Sequence, residues 1–95
     1  MKVTAAFSEQ FVNEILSHFR VRSVKQLKLF IVVVLRDGTF VDAYSTNSDE
    51  VARERCGQVM AKALMEGKPL AAVLLRRSSG SKLKYVDSFD SKNLV

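Results

Sequence analysis

The segment from Leu29 to Leu35 reads LFIVVVL and contains no polar residue. Successive side chains of a strand point to opposite faces of the sheet, so a strand at the surface of a small domain normally alternates apolar and polar residues. A strand that is apolar at every position indicates burial on both faces. The segment from Leu70 to Leu75 has the same character. The rest of the chain must therefore cover two sides of a sheet.

An Asp-Gly pair after the first apolar segment predicts a β-hairpin. Asp37 and Gly38 stand between two strand-like stretches, and this dipeptide favours the type I′ turn, in which both central residues have positive φ. We predict a second strand from about Thr39 to Ser45. The turn implies four pairs across the hairpin: Arg36 with Thr39, Leu35 with Phe40, Val33 with Asp42, and Ile31 with Tyr44.

Two helices and two further strands complete the predicted fold. Ser8 is a suitable N-cap for a first helix that ends near Phe19 or Arg20, with Phe7 and Val12 spaced for a hydrophobic staple. Asn47 and Glu50 have the spacing of a capping box for a second helix, which should end at Gly67. A helical turn is expected at Ser23 to Gln26, a third strand at Leu70 to Arg76, and a fourth within KLKYVDSF.

The predicted order is therefore α-β-β-α-β-β. It indicates one small α+β domain over residues 1–95, with a mainly antiparallel four-stranded sheet packed by two helices and a loose tail at about 90–95. This order, with its apolar hairpin, is similar to that of small dimeric scaffold modules such as the roadblock group. The resemblance concerns element order alone and transfers no residue roles, because a fold does not fix a function.

Two helices can cover such a sheet in two ways. One helix on each face closes the monomer, whereas two helices on one face leave the other bare. A bare apolar face would exceed the few hundred Å² that monomers usually expose, and would become a subunit contact. We favour this second arrangement, because Asp42 would need a partner in a sealed core. It predicts a homodimer or larger assembly through Ile31, Val33, Leu35, Phe40 and Tyr44.

The charged residues suggest the chemistry of a partner. Fifteen Lys and Arg against ten Asp and Glu give a formal charge of +5, which is moderate and favours an acidic protein or nucleic acid. The cations cluster in two segments: Arg20, Arg22, Lys25 and Lys28, and then Arg76, Arg77, Lys82 and Lys84 around SSGS. Such a site requires both segments on one side of the molecule. We predict binding by Arg77, Lys82 and Lys84, helped by Arg20 and Arg22; solvated basic turns are the alternative.

The sequence contains no catalytic or cofactor signature. His18 is the only histidine and Cys56 the only cysteine, whereas a protein metal site normally uses three or four ligands. Cys56 lies on the apolar stripe of the second helix, which indicates a core role. We predict no enzymatic activity, no cofactor and no metal. A single cysteine and the lack of a signal-peptide pattern favour the cytoplasm, and no apolar run reaches the roughly 20 residues of a membrane span.

Three functions remain open from the sequence. The first is a non-enzymatic, self-associating module that binds an acidic macromolecule, such as a small regulator or inhibitor. The second is a nucleic-acid or phosphorylated-ligand binder that uses the basic turns. The third is a small enzyme, which ranks last because the usual acid, base and nucleophile sets are missing.

Overall fold

Four antiparallel strands form a single sheet in the computed structural model, which describes residues 8–78 and 82–94. The strand order across the sheet is β2-β1-β3-β4. The predicted α+β fold and its α-β-β-α-β-β order are confirmed. The elements are α1 (Glu9–Phe19), β1 (Phe30–Arg36), β2 (Thr39–Thr46), α2 (Asp49–Glu66), β3 (Ala71–Arg77) and β4 (Leu83–Asp90), with short 3₁₀ turns at Val24–Gln26 and Ser91–Leu94.

Both ends of α1 are formed by the residues that the sequence indicates. Ser8 caps the helix, since its Oγ accepts a hydrogen bond from the Phe11 N–H at 3.1 Å. Arg20 ends it in the left-handed conformation, with φ of 57°. Phe7, the predicted staple partner of Val12, lies outside the described residues.

The start of α2 differs from the prediction by one residue. Ser48 caps the helix, because its Oγ accepts a hydrogen bond from the Val51 N–H at 3.2 Å. Asn47, the predicted cap, uses its Oδ1 to accept a hydrogen bond from the Leu29 N–H at 3.0 Å. The amide of Asn47 thus ties the beginning of α2 to the beginning of β1. Gly67 ends the helix as expected, with φ of 68°.

The two helices lie on opposite faces of the sheet, so both faces of β1 are covered. This contradicts the favoured arrangement with both helices on one side. Ile31 and Val33 are fully buried because they pack with Ile15 of α1. The core on the α1 side consists of Ile15, Val24, Leu27, Ile31, Val33 and Leu75. The core on the α2 side consists of Phe30, Val32, Val34, Ala52, Cys56, Val59, Met60, Ala63, Leu70, Ala72 and Leu74.

A β-bulge changes the predicted register of the hairpin. The pairs Arg36–Thr39 and Leu35–Phe40 are confirmed, but Val34 then pairs with Asp42, so Val41 has no residue opposite. Beyond the bulge the pairing is displaced by one residue. The predicted pairs Val33–Asp42 and Ile31–Tyr44 are therefore wrong; the observed pairs are Val33–Ala43, Val32–Tyr44 and Ile31–Ser45.

The other edge strand has a bulge of the same kind. Leu74 pairs with Asp87 and Leu75 with Tyr85, so Val86 is the extra residue of β4. Bulges twist an edge strand away from a regular ladder, and proteins use them to prevent pairing with strands of other molecules. Both edge strands of this sheet contain such a bulge.

The end of the chain is attached to the sheet through Ser91. Its side chain is buried, with 4% of its surface exposed. The Leu70 N–H donates to Ser91 Oγ at 2.9 Å, and the Ser91 N–H donates to the Leu70 carbonyl at 3.0 Å. Ser91 is therefore held against the residue that precedes β3, while the loose tail at about 90–95 stays a prediction. Within residues 8–78 and 82–94, neither helix combines the length and apolar composition required to cross a membrane.

Candidate functional site

Cations from two distant segments meet at one end of the sheet, which we call the basic end. The register places Phe30 opposite Arg76, and Arg76 opposite Lys84. The start of β1, the end of β3 and the start of β4 therefore lie side by side, and the connector between α1 and β1 reaches the same place. The basic end comprises Arg20, Arg22, Lys25, Lys28, Arg76, Arg77, Lys82 and Lys84.

Arg77 joins the two segments directly. Its Nη1 donates a hydrogen bond to the Lys25 carbonyl at 2.9 Å, and its backbone N–H donates to the Leu29 carbonyl at 2.8 Å. One residue thus fixes the connector against the end of β3 through both side chain and main chain. The connector and the end of β3 therefore lie together at the same end of the sheet.

The charge at this end is not compensated within its own segments. Residues 20–28 and 76–84 contain eight of the fifteen Lys and Arg residues, and no Asp or Glu. All eight side chains except Arg77, which is half-buried, are exposed. In the described ranges, the ion pairs within 4 Å involve His18 and Arg53 and none of these eight cations. Their charge is available to a partner.

The register divides the basic end between the two faces of the sheet. Arg76 and Lys84 are neighbours on the α2 side, since both align with Phe30. Arg77 is opposite Leu83, which packs in the core on the α1 side. The predicted set of Arg77, Lys82 and Lys84 is thus not one surface.

Sequence reasoning passed over Arg76 because the predicted third strand ended there. The strand continues to Arg77, and only the cross-strand register shows which of the two arginines accompanies Lys84. The turn residues 79–81 lie outside the described part of the chain. The binding role of Arg77, Lys82, Lys84, Arg20 and Arg22 stays a prediction.

Acidic residues border the basic end on the α2 side. The first turn of α2 contains Asp49 and Glu50, and the Asn47–Leu29 hydrogen bond brings this turn close to the start of β1. Arg53 compensates part of this charge, since its Nε lies 3.1 Å from Asp49 Oδ2 and its Nη1 lies 3.5 Å from Asp87 Oδ2. Acidic groups thus limit the basic end on the α2 side.

The five residues predicted for self-association do not form one exposed face. Ile31 and Val33 are buried, and Leu35 and Phe40 pack against the same core beneath α1. The bulge moves Tyr44 to the α2 side, where it packs against the other core. Self-association itself stays a prediction, but these five side chains do not supply a common surface for it.

The only histidine belongs to a polar cluster at the edge strand β2. His18 Nε2 lies 3.5 Å from Asp42 Oδ1, and the Tyr44 hydroxyl donates to Asp42 Oδ2 at 2.9 Å. That hydrogen bond, followed by burial, raises the pKa of Tyr44. The Arg55 guanidinium lies 4.4 Å from the centre of the Tyr44 ring, a cation–π contact. The cluster links α1, β2 and α2 and gives Asp42 the partner that its partly buried carboxylate requires.

Cys56 is buried in the core on the α2 side, as predicted. Burial raises the pKa of its thiol to about 11, so the thiolate is scarce at neutral pH. Among the described residues, no three His, Cys, Asp or Glu side chains are grouped so that they could hold a metal ion.

Comparison of the chain with protein-family models, with curated protein sequences and with solved structures gave no match. Function must therefore be inferred from the site.

Proposed function

We propose that this protein is a non-enzymatic binding module that engages an acidic protein partner through its basic end. The observation that carries this proposal is the contact of Arg77 with the Lys25 carbonyl at 2.9 Å. It unites two segments that hold eight cations and no acidic residue. A concentration of one charge sign on a fixed surface attracts a partner of opposite charge and accelerates encounter.

The aromatic residues favour a protein over single-stranded nucleic acid. Proteins that bind single strands display aromatic rings on which bases stack. Here six of the described aromatic side chains pack against the two cores: Phe11, Phe19, Phe30, Phe40, Tyr44 and Phe89. Tyr85 remains, and its hydroxyl donates to Ser88 Oγ at 2.8 Å. The basic end thus offers charge with one half-buried ring, Tyr85, rather than the series of rings that a single strand needs, which leaves duplex DNA as the nucleic-acid alternative.

Binding through this surface does not require self-association. Ile31 and Val33 are covered by α1, and both edge strands are bulged. Each copy presents its own basic end.

The test is a binding titration with a fluorescein-labelled Glu- and Asp-rich peptide, followed by anisotropy, and the same titration with labelled duplex DNA. The site variant combines Arg76→Gln with Lys84→Gln, two exposed neighbours that leave the Arg77 tie intact. The matched control combines Lys68→Gln with Lys92→Gln at the opposite end of the sheet. Both variants lower the formal charge from +5 to +3, since each removes two cations.

We expect the site variant to weaken peptide binding by about tenfold and the control by less than about twofold, because each rim contact contributes up to about 1 kcal/mol. Equal weakening by both variants would show that net charge alone drives binding, and would contradict a site at the basic end. Tighter binding of DNA than of peptide would favour the nucleic-acid alternative. In that case the affinity for DNA should fall steeply between about 50 and 200 mM salt, with a slope of log K against log salt of about −0.9 for each phosphate contact.

A further inference from the structure

A small pocket opens on the α2 side at the end of the sheet opposite to the basic end. It lies between the β1–β2 hairpin and the second half of α2, with a volume of about 210 Å³. Val34, Val59 and Leu70 form its apolar wall, and Arg36 and Lys62 contribute two cations to its lining. Arg36 and Phe30 are at opposite ends of β1, so this pocket lies about 20 Å from the basic end.

Arg36 is the unusual residue of this pocket. It follows Val32 and Val34 in the alternation of β1, which directs its side chain to the α2 side. Its Nε is buried and has no hydrogen-bond partner in the described part of the chain. Native proteins leave few buried polar groups unpaired, and a bound water or ion is one of the explanations for such a group. A guanidinium is always charged and only donates, so the missing partner is an acceptor and preferably an anion.

The one carboxylate in the lining does not fill that role. Asp42 Oδ1 accepts a hydrogen bond from the Ala43 N–H at 2.8 Å and lies 3.5 Å from His18 Nε2. Its Oδ2 accepts from the Tyr44 hydroxyl at 2.9 Å. Within the described ranges, the ion pairs within 4 Å do not include Arg36. The two cations of the pocket therefore face one carboxylate that is already engaged by other groups.

We propose that this pocket binds a single carboxylate group. The Arg36 guanidinium would donate to the carboxylate oxygens, since its planar arrangement of N–H groups matches a carboxylate. Lys62 supplies a second positive charge, and Val34, Val59 and Leu70 accommodate a short aliphatic chain. The volume is below the roughly 300 Å³ at which drug-sized ligand pockets begin. The ligand is thus a short organic acid, or the side chain of one acidic residue of a partner.

The two sources share this chemistry and are separated by the choice of probe. Sodium propionate represents a free short acid. A glutamate residue blocked at both its amino and carboxyl groups represents a partner's side chain. Sodium chloride at equal ionic strength controls for general salt effects. The direct readout is the Nε–Hε resonance of Arg36 in ¹⁵N NMR spectra of the full chain, identified by its loss in Arg36→Gln.

We expect this resonance to shift saturably with propionate or with the blocked glutamate, and not with chloride. Arg36→Gln should weaken binding, followed by the backbone amides of the pocket, by about tenfold or more, because a charge-assisted hydrogen bond is lost. Lys62→Gln should weaken it by about two- to threefold, since Lys62 is exposed. Lys68→Gln removes the same charge outside the pocket and should leave binding unchanged.

If propionate saturates the pocket and the blocked glutamate does not, the ligand is a free acid. If both bind with equal affinity, the pocket also accepts an acidic side chain of a partner. Both results support a carboxylate site. Shifts that are linear and equal in propionate, blocked glutamate and chloride would overturn it, as would saturable binding that Arg36→Gln leaves unchanged. If Arg36→Gln does not fold, the wild-type titration and the comparison of Lys62→Gln with Lys68→Gln decide the question.

Discussion

Val33 lies at the centre of the sheet, and substitutions there test whether α1 covers this face of the sheet. It is paired with Ala43 on one side and Val73 on the other, and it packs beneath α1 with none of its surface exposed. Val33→Ala removes two buried methyl-sized groups at about 0.8 kcal/mol each and leaves a cavity. We therefore expect a loss of about 2–3 kcal/mol in the free energy of unfolding.

A charge at the same position is a stronger perturbation. The neighbours of Val33 on the α1 side include Ile15, Ile31 and Leu75, which cannot pair with a carboxylate. Burial of an unpaired charge costs several kcal/mol, and a domain of this size has about 5–15 kcal/mol of stability in total. We expect Val33→Asp to be largely unfolded at neutral pH.

Val41 provides the matched control on the neighbouring strand. It is the extra residue of the bulge and is 47% exposed. Val41→Asp should change the free energy of unfolding by no more than about 0.5–1 kcal/mol. Urea denaturation followed by circular dichroism measures all three variants, since the chain has no tryptophan. A folded Val33→Asp protein that light scattering shows to be a smaller species than the wild type would refute this reasoning, because Val33 would then lie in a subunit contact.

Further predictions concern single residues in the hairpin turn, in α2 and at the end of β3. Gly38 has φ of 78° in the hairpin turn, so Gly38→Ala should destabilise the protein by about 1 kcal/mol in urea denaturation. Gly57 lies in the middle of α2 with open space for a methyl group, so Gly57→Ala should stabilise the protein by a similar amount. Arg77→Ala should lower the free energy of unfolding by about 1 kcal/mol, because its hydrogen bond to the Lys25 carbonyl is lost. Arg76→Ala should change it by no more than about 0.5 kcal/mol, and equal losses would contradict a structural role for the Arg77 hydrogen bond. The pKa of Cys56 is raised from 9.0 to about 11 in the folded protein. The buried thiol therefore contributes stability below about pH 9, and this contribution is lost as the pH rises toward 11. The urea midpoint should fall over this pH range, and Cys56→Ala should make the fall smaller.

The sequence predicts the elements of this fold well because their signals are local. Ser8 and Gly67 end their helices through interactions within one turn. The Asp37–Gly38 pair determines the hairpin turn, with positive φ at both residues. The all-apolar segment from Leu29 to Leu35 correctly indicates cover on both faces.

The strand register and the sheet face of each side chain could not be predicted from local signals. A bulge at Val41 has no signature in an apolar strand, yet it moves Tyr44 to the opposite side of the sheet. Asp42 has two partners at the edge of the sheet, His18 and Tyr44, and neither could be inferred from the sequence. A carboxylate that looked incompatible with a sealed core therefore gave no reason to leave a face bare.

The candidate sites depend on contacts between distant residues. The two basic segments are evident from composition, but their union depends on the hydrogen bond from Arg77 to the carbonyl of Lys25, 52 residues away. The pocket at Arg36 had no sequence signal, since an arginine at the end of a strand reads as a solvated charge. Only the buried and unpaired Nε distinguishes it.

The most direct test of the basic end is a ¹⁵N NMR titration of the unmodified protein with the acidic peptide. The backbone amides of residues 20–28 and 76–84 should shift together and saturate with one affinity, because Arg77 holds the two segments together at one end of the sheet. The amides of residues 9–14, in the first half of α1 and outside both the basic end and the lining of the Arg36 pocket, should stay in place. Shifts confined to one basic segment, or spread evenly over the whole surface, would contradict a single site built from both.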